Sequence, residues 1–268
     1  MVFFEQIINT CVDVNLFDLL VPYYEEKFRI YNAHYIDIFT LAKCNKYLNI
    51  IITNKLIKCL YFPLSTVLKS PEKLKFNTNN ICRLNVNIQY DDNILNTFKK
   101  VTHIFLRNIN NQQIKENDLP SSLKYLFFPG LYNLSIKTNI LPSSLTNLMF
   151  GNLFNQPIEK NVLPSSLTEL TFGYEFNQPI KIDILPKKLK FLTFGGSFNH
   201  PIGKNILPPK LLTLVFGLNF DQVIEKDVLP STLTSLTLGD NYDILLLKDV
   251  FSKNLEKLTI GKVVIKSN

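Results

Sequence analysis

The sequence Leu163-Pro-Ser-Ser-Leu-Thr-Glu-Leu-Thr-Phe-Gly-Tyr-Glu-Phe-Asn-Gln-Pro-Ile180 decides the fold of this chain, because it recurs with variation every 22 residues. Its opening Leu-Pro pair begins at 119, 141, 163, 185, 207 and 229, with no insertion or deletion between copies. A fixed period of this length that carries Leu-x-x-Leu-x-Phe is typical of a solenoid, in which each repeat stacks on its neighbours. The sequence therefore predicts a stack of 22-residue coils.

Three large apolar positions in every coil predict a short buried strand. The second and third positions are two residues apart, as on one face of a β-strand. We expect the strands of neighbouring coils to pair in parallel at about 4.8 Å. Further apolar positions, at Phe154 and Ile158 and their equivalents, are expected to fill the interior. The three strand positions run from Leu123, Leu126 and Phe128 to Leu255, Leu258 and Ile260.

Three other recurring residue types predict how the backbone turns between coils. A glycine ends each strand from Gly151 to Gly261, and we expect a positive φ there. The proline that follows leucine at each coil entry fixes φ and needs no amide hydrogen. A recurring asparagine predicts a ladder of hydrogen bonds to backbone groups. That position is Asn155, Asn177 and Asn199, followed by Asp221 and Asp243.

Weaker copies of the repeat precede the regular ones. Val101-x-x-Ile104-x-Leu106 lies 22 residues before the first regular strand, and Ile81-x-x-Leu84-x-Val86 precedes it by 20. Ile57-x-x-Leu60-x-Phe62 is a third candidate. Terminal repeats are usually atypical. We therefore predict degenerate coils over 61–118 and regular repeats over 119–268, with residues 262–266 covering the last edge.

The second half of the repeat carries a family resemblance. Phe-Asn-Gln-Pro-Ile at 154–158 and 176–180, with Phe-Asn-His-Pro-Ile at 198–202, resembles the FNIP repeat, a relative of leucine-rich repeats. The Leu-Pro-x-Ser-Leu-x-x-Leu-x-Phe-Gly prefix matches as well, so the resemblance covers 119–261. It implies a leucine-rich-repeat-like solenoid that recognises proteins. The family is abundant in social amoebae and in giant DNA viruses of amoebae, where it often follows an F-box.

Residues 1–60 are predicted to form a short helical region, which makes the fold class α+β. The segments 15–24 and 35–49 resemble the two halves of an F-box, although the Leu-Pro opening usual in that family is missing. The resemblance implies binding to a Skp1-type adaptor. The alternative is a plain helical cap that seals the first coil. The implied adaptor contacts are Leu16, Phe17, Leu19, Leu20, Leu41, Cys44 and Asn45.

Strand parity predicts a partner-binding surface on the repeats. Residues that alternate with the buried pair must point outward. An exposed apolar cluster is a candidate interface, although scattered apolar residues are common on protein surfaces. The apolar residues at these positions are Tyr125, Phe127, Met149, Phe191 and Val215.

The basic composition has two interpretations. The net charge is +7 and the isoelectric point is about 9.1. A lysine recurs near the end of each coil, which is compatible with a nucleic-acid-binding solenoid as a third class of function. Acidic residues at 116, 159 and 225 interrupt this column, so a solvated outer face is the alternative. The dominance of residues with AT-rich codons also explains the lysine content. The lysines are Lys115, Lys137, Lys160, Lys181, Lys204, Lys226 and Lys248.

Catalytic and metal-binding patterns are not found in the sequence. His34, His103 and His200 share no neighbourhood by spacing with a nucleophile, and the four cysteines form no Cys-x-x-Cys pair. We expect no enzyme activity, no cofactor, no metal and no membrane span, and a cytoplasmic location (host cytoplasm for a viral source). The predicted function is protein–protein recognition, as substrate receptor of a Skp1-type ubiquitin ligase for an unknown target. An interaction scaffold without ligase engagement is the alternative.

Overall fold

Short strands, one from each coil, pair side by side to form a single sheet. The computed structural model describes the backbone of 83–86, and residues 100–106, 112–243, 245, 250 and 254–266, all within one unit, Thr53–Asn268. Ten strands in these residues follow one another in the sheet in sequence order. They are β1 (Arg83–Val86), β2 (His103–Leu106), β3 (Tyr125–Phe127), β4 (Asn147–Met149), β5 (Glu169–Thr171), β6 (Phe191–Thr193), β7 (Thr213–Val215), β8 (Ser235–Leu238), β9 (Lys257–Ile260) and β10 (Val263–Lys266).

Strands β1 to β9 pair in parallel, which confirms the predicted solenoid. The register places equivalent residues of successive coils beside each other, as Leu126, Leu148 and Leu170 show. The two weaker copies ahead of the regular repeats contain β1 and β2, which continue the parallel pairing. Each regular coil begins with a tight turn in which the proline carbonyl accepts a hydrogen bond from the leucine amide three residues later, at 3.0 Å for Pro120 and Leu123. The Leu-Pro-x-x-Leu signature therefore forms a tight turn at the start of each regular coil.

Two columns of stacked aromatic rings fill the interior. Phe172 on the strand side stacks on Phe176 of its own coil at 3.8 Å between ring centroids. It also stacks on Phe150 and Phe194 of the adjacent coils, both at 5.6 Å. The same arrangement recurs in the coils before and after. Because every ring lies against rings above and below it, the core is continuous along the stack.

Tyr132 brings a hydroxyl group into this apolar core. It occupies the position of Phe154 in the next coil and has no exposed surface. Its hydroxyl makes no well-formed hydrogen bond in the described part of the chain, although the backbone of Ile114 lies close enough to favour the ionised form slightly. Burial raises the pKa of Tyr132 to about 12, because the ionised phenolate would lose its hydration. By contrast, the hydroxyl of Tyr242 at the other end of the column donates to the Gln222 carbonyl at 3.1 Å.

Replacing Tyr132 with phenylalanine is expected to stabilise the protein by about 1–2 kcal/mol near neutral pH, because it removes a buried unpaired hydroxyl. The unfolded tyrosine ionises near pH 10 and the folded one near pH 12, so wild-type stability should fall between these values. The gap between variant and wild type should therefore widen above pH 10. Urea titration across this range measures it. The matched change Tyr242→Phe should cost stability instead; equal effects would contradict the argument.

Five of the six strand-end glycines do not adopt the positive φ that the sequence predicted. Only Gly261 does so among the described glycines, with φ of +54°. A Cβ at Gly151, Gly173, Gly195 or Gly217 would collide with the backbone carbonyl of the preceding coil. Glycine is required there because two coils approach closely. The left-handed residue of each coil is instead an Asn or Asp, which tolerate that conformation: Asn117, Asn139, Asn161, Asp183, Asn205 and Asp227, with φ between 64° and 67°.

Two ladders of polar side chains connect successive coils. The predicted asparagine ladder is confirmed, with the side-chain oxygen as acceptor: Asn155 Oδ1 accepts from the Asn177 amide at 2.9 Å and from Gln178 Nε2 at 3.0 Å. The second ladder was not predicted. The Ser144 hydroxyl donates to the Leu123 carbonyl of the preceding coil at 2.6 Å. Equivalent bonds are made by Ser122, Ser166 and Thr232. The second serine of Leu-Pro-Ser-Ser-Leu recurs at this position, and its recurrence could have been used to predict this ladder.

Asn177→Ala should cost about 1 kcal/mol, because the Asn199 amide would lose the acceptor that lies 3.0 Å away. The cost should be at the low end because Asn177 is exposed and water can replace part of the bond. Asn177→Asp keeps an acceptor oxygen and should be nearly neutral. Denaturant titration of both variants checks this. Equal losses for Ala and Asp would show that the side chain has another role.

Several predictions fall on residues outside those that the structure describes. They are the helical region at 1–60, the candidate coil beginning at Ile57, and the Phe251-Ser departure in the last copy. The described residues contain no helix that is long and apolar enough to cross a bilayer.

Candidate partner-binding surface

The residues on either side of each strand's buried leucine form the outer strand face. Strand parity holds here: in β3 the central Leu126 is buried, while Tyr125 is exposed and Phe127 half-buried. Parallel pairing aligns the outward residues in two columns. The first column is His103, Tyr125, Asn147, Glu169, Phe191, Thr213, Ser235 and Lys257. The second column is Phe105, Phe127, Met149, Thr171, Thr193, Val215, Thr237 and Thr259.

The N-terminal part of this face carries a contiguous cluster, the aromatic patch, formed by His103, Phe105, Tyr125, Phe127 and Met149. The His103 and Tyr125 rings stack with 4.1 Å between centroids and 7° between planes. The Phe105 and Phe127 rings lie 6.3 Å apart. Met149 follows Phe127 directly in the register. Neighbouring coils thus hold these side chains in a fixed arrangement on rigid strands.

Water contacts two residues of this patch freely, and the other three are part-buried. Tyr125 is 41% exposed and Met149 is 45% exposed, while the leucines between the columns are fully buried. Aromatic and methionine side chains are enriched in protein interfaces. Because the core is already filled by the inward rings, the exposed apolar groups contribute little to folding. A clustered apolar patch of this kind indicates an interaction site.

The structure brings together only three of the five residues predicted for partner binding. Phe191 is 44% exposed but lies between Glu169 and Thr213 in its column. Val215 lies between two threonines. Polar neighbours therefore separate both residues from the patch. His103 and Phe105 belong to the patch and were missed, although the degenerate repeat at 101–106 already had the parity that places them outward.

The polar part of the face has its own contacts. Asn147 Nδ2 donates a short hydrogen bond to Glu169 Oε2 on the next strand. Hydroxyl-bearing side chains dominate the second column after Met149, at Thr171, Thr193, Thr237 and Thr259. The outer strand face therefore has an aromatic N-terminal part and a hydroxyl-rich C-terminal part. The contiguous aromatic part ends at β4, and Phe191 and Val215 are separate apolar residues beyond it.

The lysine column lies on another side of the coils and faces water. Lys160 Nζ lies 3.1 Å from Asp183 Oδ2, and Lys204 Nζ lies 3.6 Å from Asp227 Oδ2 on the following coil. Exposed ion pairs of this type contribute little stability. They also place carboxylates beside the cations, which opposes a continuous phosphate-binding stripe. Nucleic-acid binding stays a prediction. The seven lysines predicted for this column are exposed, except Lys248, which lies outside the described residues.

The implied adaptor-binding residues cannot be placed. All seven, from Leu16 to Asn45, lie outside the residues that the structure describes. In the described ranges, no three His, Cys, Asp or Glu side chains lie together as a metal-binding group would require.

A solved structure is similar to this fold: "The crystal structure of CroV588 a novel circular LRR protein structure" matches with a TM-score of 0.63 and 44% sequence identity. The match covers 68% of this chain and 27% of that chain, so this chain spans about a quarter of that protein's length. A comparison with curated proteins gives no match.

The FNIP repeat model matches six overlapping windows: 110–153, 132–175, 154–197, 176–219, 198–241 and 220–263. The first window begins ahead of the first regular Leu-Pro pair, and the last includes β9. The family match and the coils of the solenoid therefore coincide. Because the matched windows cover more than half of its residues, the chain belongs to the FNIP repeat family.

Proposed function

We propose that this protein is a protein–protein interaction module whose aromatic patch binds an apolar segment of a partner. The observation that carries the proposal is the clustering of exposed apolar side chains on the outer strand face, away from a core that is already filled. A repeat solenoid suits this role because it presents a long surface on rigid strands. The similar solved structure, described as a leucine-rich-repeat protein, agrees with a recognition fold.

The chemistry of the patch indicates what the partner presents. Its five residues carry no formal charge when His103 is neutral, and the nearest carboxylate on the face is that of Glu169. Tyrosine and histidine add hydrogen-bonding groups beside the apolar surface. A partner loop or helix with two or three large apolar side chains fits this surface. Each such side chain contributes roughly 1.5–3 kcal/mol when fully buried.

The test is the triple variant Tyr125→Ser, Phe127→Ser and Met149→Ser. Loss of three apolar contacts should weaken partner binding at least about a hundredfold. The protein should stay folded with a moderately lowered melting temperature, because Tyr125 and Met149 are exposed but Phe127 is part-buried. Affinity capture from the native cell, followed by titration of the captured partner, measures the binding affinity, and a thermal melting curve measures the stability. The matched control is Thr171→Ser, Val215→Ser and Thr237→Ser on the hydroxyl-rich part of the face.

Two outcomes would contradict the proposal. If the triple variant unfolds while the control does not, the patch is covered by another part of the chain. If the triple variant folds and binds its partner as wild type does, the interface lies on another face.

A narrower proposal is that the protein acts as the substrate receptor of a Skp1-type ubiquitin ligase, in the cytoplasm. Its support is the F-box resemblance of residues 15–24 and 35–49, which adds an adaptor-binding module to a recognition solenoid. Direct binding of the full-length protein to purified Skp1 tests it. Leu20→Asp with Leu41→Asp should abolish binding, while the aromatic-patch variant should retain it. If the wild-type protein does not bind Skp1, the alternative assignment of residues 1–60 as a cap is favoured. The protein would then be an interaction module that does not engage a ubiquitin ligase.

A further inference from the structure

The last strand leaves an open edge at the C-terminal end of the sheet. β10 reverses direction after a two-residue turn, in which Gly261 has φ of +54°, and pairs antiparallel with β9. Among the described residues no strand pairs with its other side. Alternate residues of such an edge strand direct their amide and carbonyl groups away from the sheet, so that another strand can pair with them.

The first three side chains of β10 are apolar, and they are exposed on both faces. Val263 and Ile265 lie on the core side, opposite Ile260 and Leu258, but they are 61% and 45% exposed because no further coil of the described residues covers them. Val264 lies on the outer face and is 49% exposed. Natural edge strands usually carry charged or proline residues that prevent pairing. Here the charges flank the strand centre, at Lys262 and Lys266, and leave the centre free.

We infer that β10 pairs antiparallel with β10 of a second copy of this chain about a two-fold axis. The segment Lys262-Val-Val-Ile-Lys266 has the same chemical pattern in both directions about Val264. A two-fold axis perpendicular to the sheet through Val264 places Val264 opposite itself and Val263 opposite Ile265. Four apolar side chains then meet on the core side, and the two ten-stranded sheets join. An isologous contact of this kind is self-complementary and closes at two copies.

The same register predicts the weakness of the dimer. Lys262, in the turn ahead of β10, comes next to Lys266 of the other copy, and neighbouring like charges are destabilising. One strand pair buries less surface than a permanent interface needs, so the dimer dissociates at low concentration. Added salt should tighten the association because it screens the lysine pairs. Screening would instead weaken an interface held by opposite charges.

Lys266→Glu provides a selective test. In the two-fold register it replaces two repulsive lysine pairs with two Lys262–Glu pairs, which should tighten the dimer about tenfold. The matched control is Lys210→Glu, an exposed lysine far along the chain that changes the net charge by the same amount. It should leave the dimer constant within about twofold of the wild-type value, because distant exposed charges are screened. Val264→Lys puts two new cations directly opposite each other and should make the protein monomeric.

Sedimentation equilibrium of the full chain over a wide concentration range, at low and high salt, measures these constants. The proposal is overturned if wild type stays monomeric throughout. It is also overturned if Lys266→Glu and Lys210→Glu act alike, or if folded Val264→Lys still dimerises. A melting curve shows whether Val264→Lys is folded; if it is not, the comparison of the two glutamate variants decides.

Discussion

Replacing Gly195 with alanine is expected to destabilise the protein by at least about 3 kcal/mol, above the usual range for overpacking. The added Cβ would collide with the carbonyl oxygen of Gly173 and lie 2.8 Å from the Cα of Tyr174. Both obstacles are backbone atoms of the preceding coil, so no side-chain rotation can relieve the contact. The two coils would have to separate, which would open the stacked aromatic column and the strand pairing together.

Gly203→Ala is the matched control. A Cβ at Gly203 would meet only the Cδ1 atom of Ile206, at 3.6 Å, which is ordinary van der Waals contact. Its φ is not positive, so alanine brings no backbone strain. We expect a change within about 0.5 kcal/mol, as for most surface substitutions. Urea unfolding of both variants measures the difference. Similar stabilities would mean that the coils separate easily at the strand ends.

Phe172→Ala is expected to cost about 3–5 kcal/mol, because it leaves a cavity in the middle of the aromatic columns. Phe172 is 3% exposed and stacks on rings of its own coil and of both neighbouring coils. The rings cannot close the gap, because the strand ladder keeps the coils at a constant spacing. Loss of contact with three rings at once should therefore make this the costliest class of apolar truncation in the chain.

The outer face offers a control of the same residue type. Phe191 is 44% exposed and has polar neighbours in its column. Its truncation to alanine should cost about 1–2 kcal/mol, less than that of Phe172, since nearly half of its surface is already in water and no closed cavity forms. Denaturant titration of both alanine variants compares the two faces of one sheet. A loss below about 1 kcal/mol for Phe172, or an equal loss for Phe191, would contradict the assigned parity.

Periodicity made much of the fold predictable. A constant repeat length forces successive coils into register, so Leu126, Leu148 and Leu170 had to align once each coil formed a strand. Alternation along a strand then separates inward from outward residues. The buried columns, the parallel pairing and the outward position of Tyr125 all followed from this argument. The adaptor-binding hypothesis did not share that support, because it depended on a resemblance outside the repeats.

Contacts between coils were less predictable than the coils themselves. The period alone does not show how closely two backbones approach, so the strand-end glycines other than Gly261 were wrongly assigned a positive φ. The left-handed conformation lies at an Asn or Asp instead, where the short polar side chain tolerates it. Likewise, a chain with many exposed apolar residues does not reveal which of them touch. Only the register showed that Met149 continues the column of Phe127, whereas Phe191 stands apart.

The sequence by itself determined the solenoid, its 22-residue coil, the identity of the buried residues and the parity of the outer strand face. These are local properties, set by the spacing of apolar residues along one coil. Only the tertiary structure showed the features that depend on contacts with a neighbouring coil, or on the lack of such a coil at the end of the described stack. It placed the hydroxyl of Tyr132 in the core, extended the aromatic patch to His103 and Phe105, and turned β10 back at the end of the sheet. Such features arise from distances between coils, which a repeat pattern does not contain.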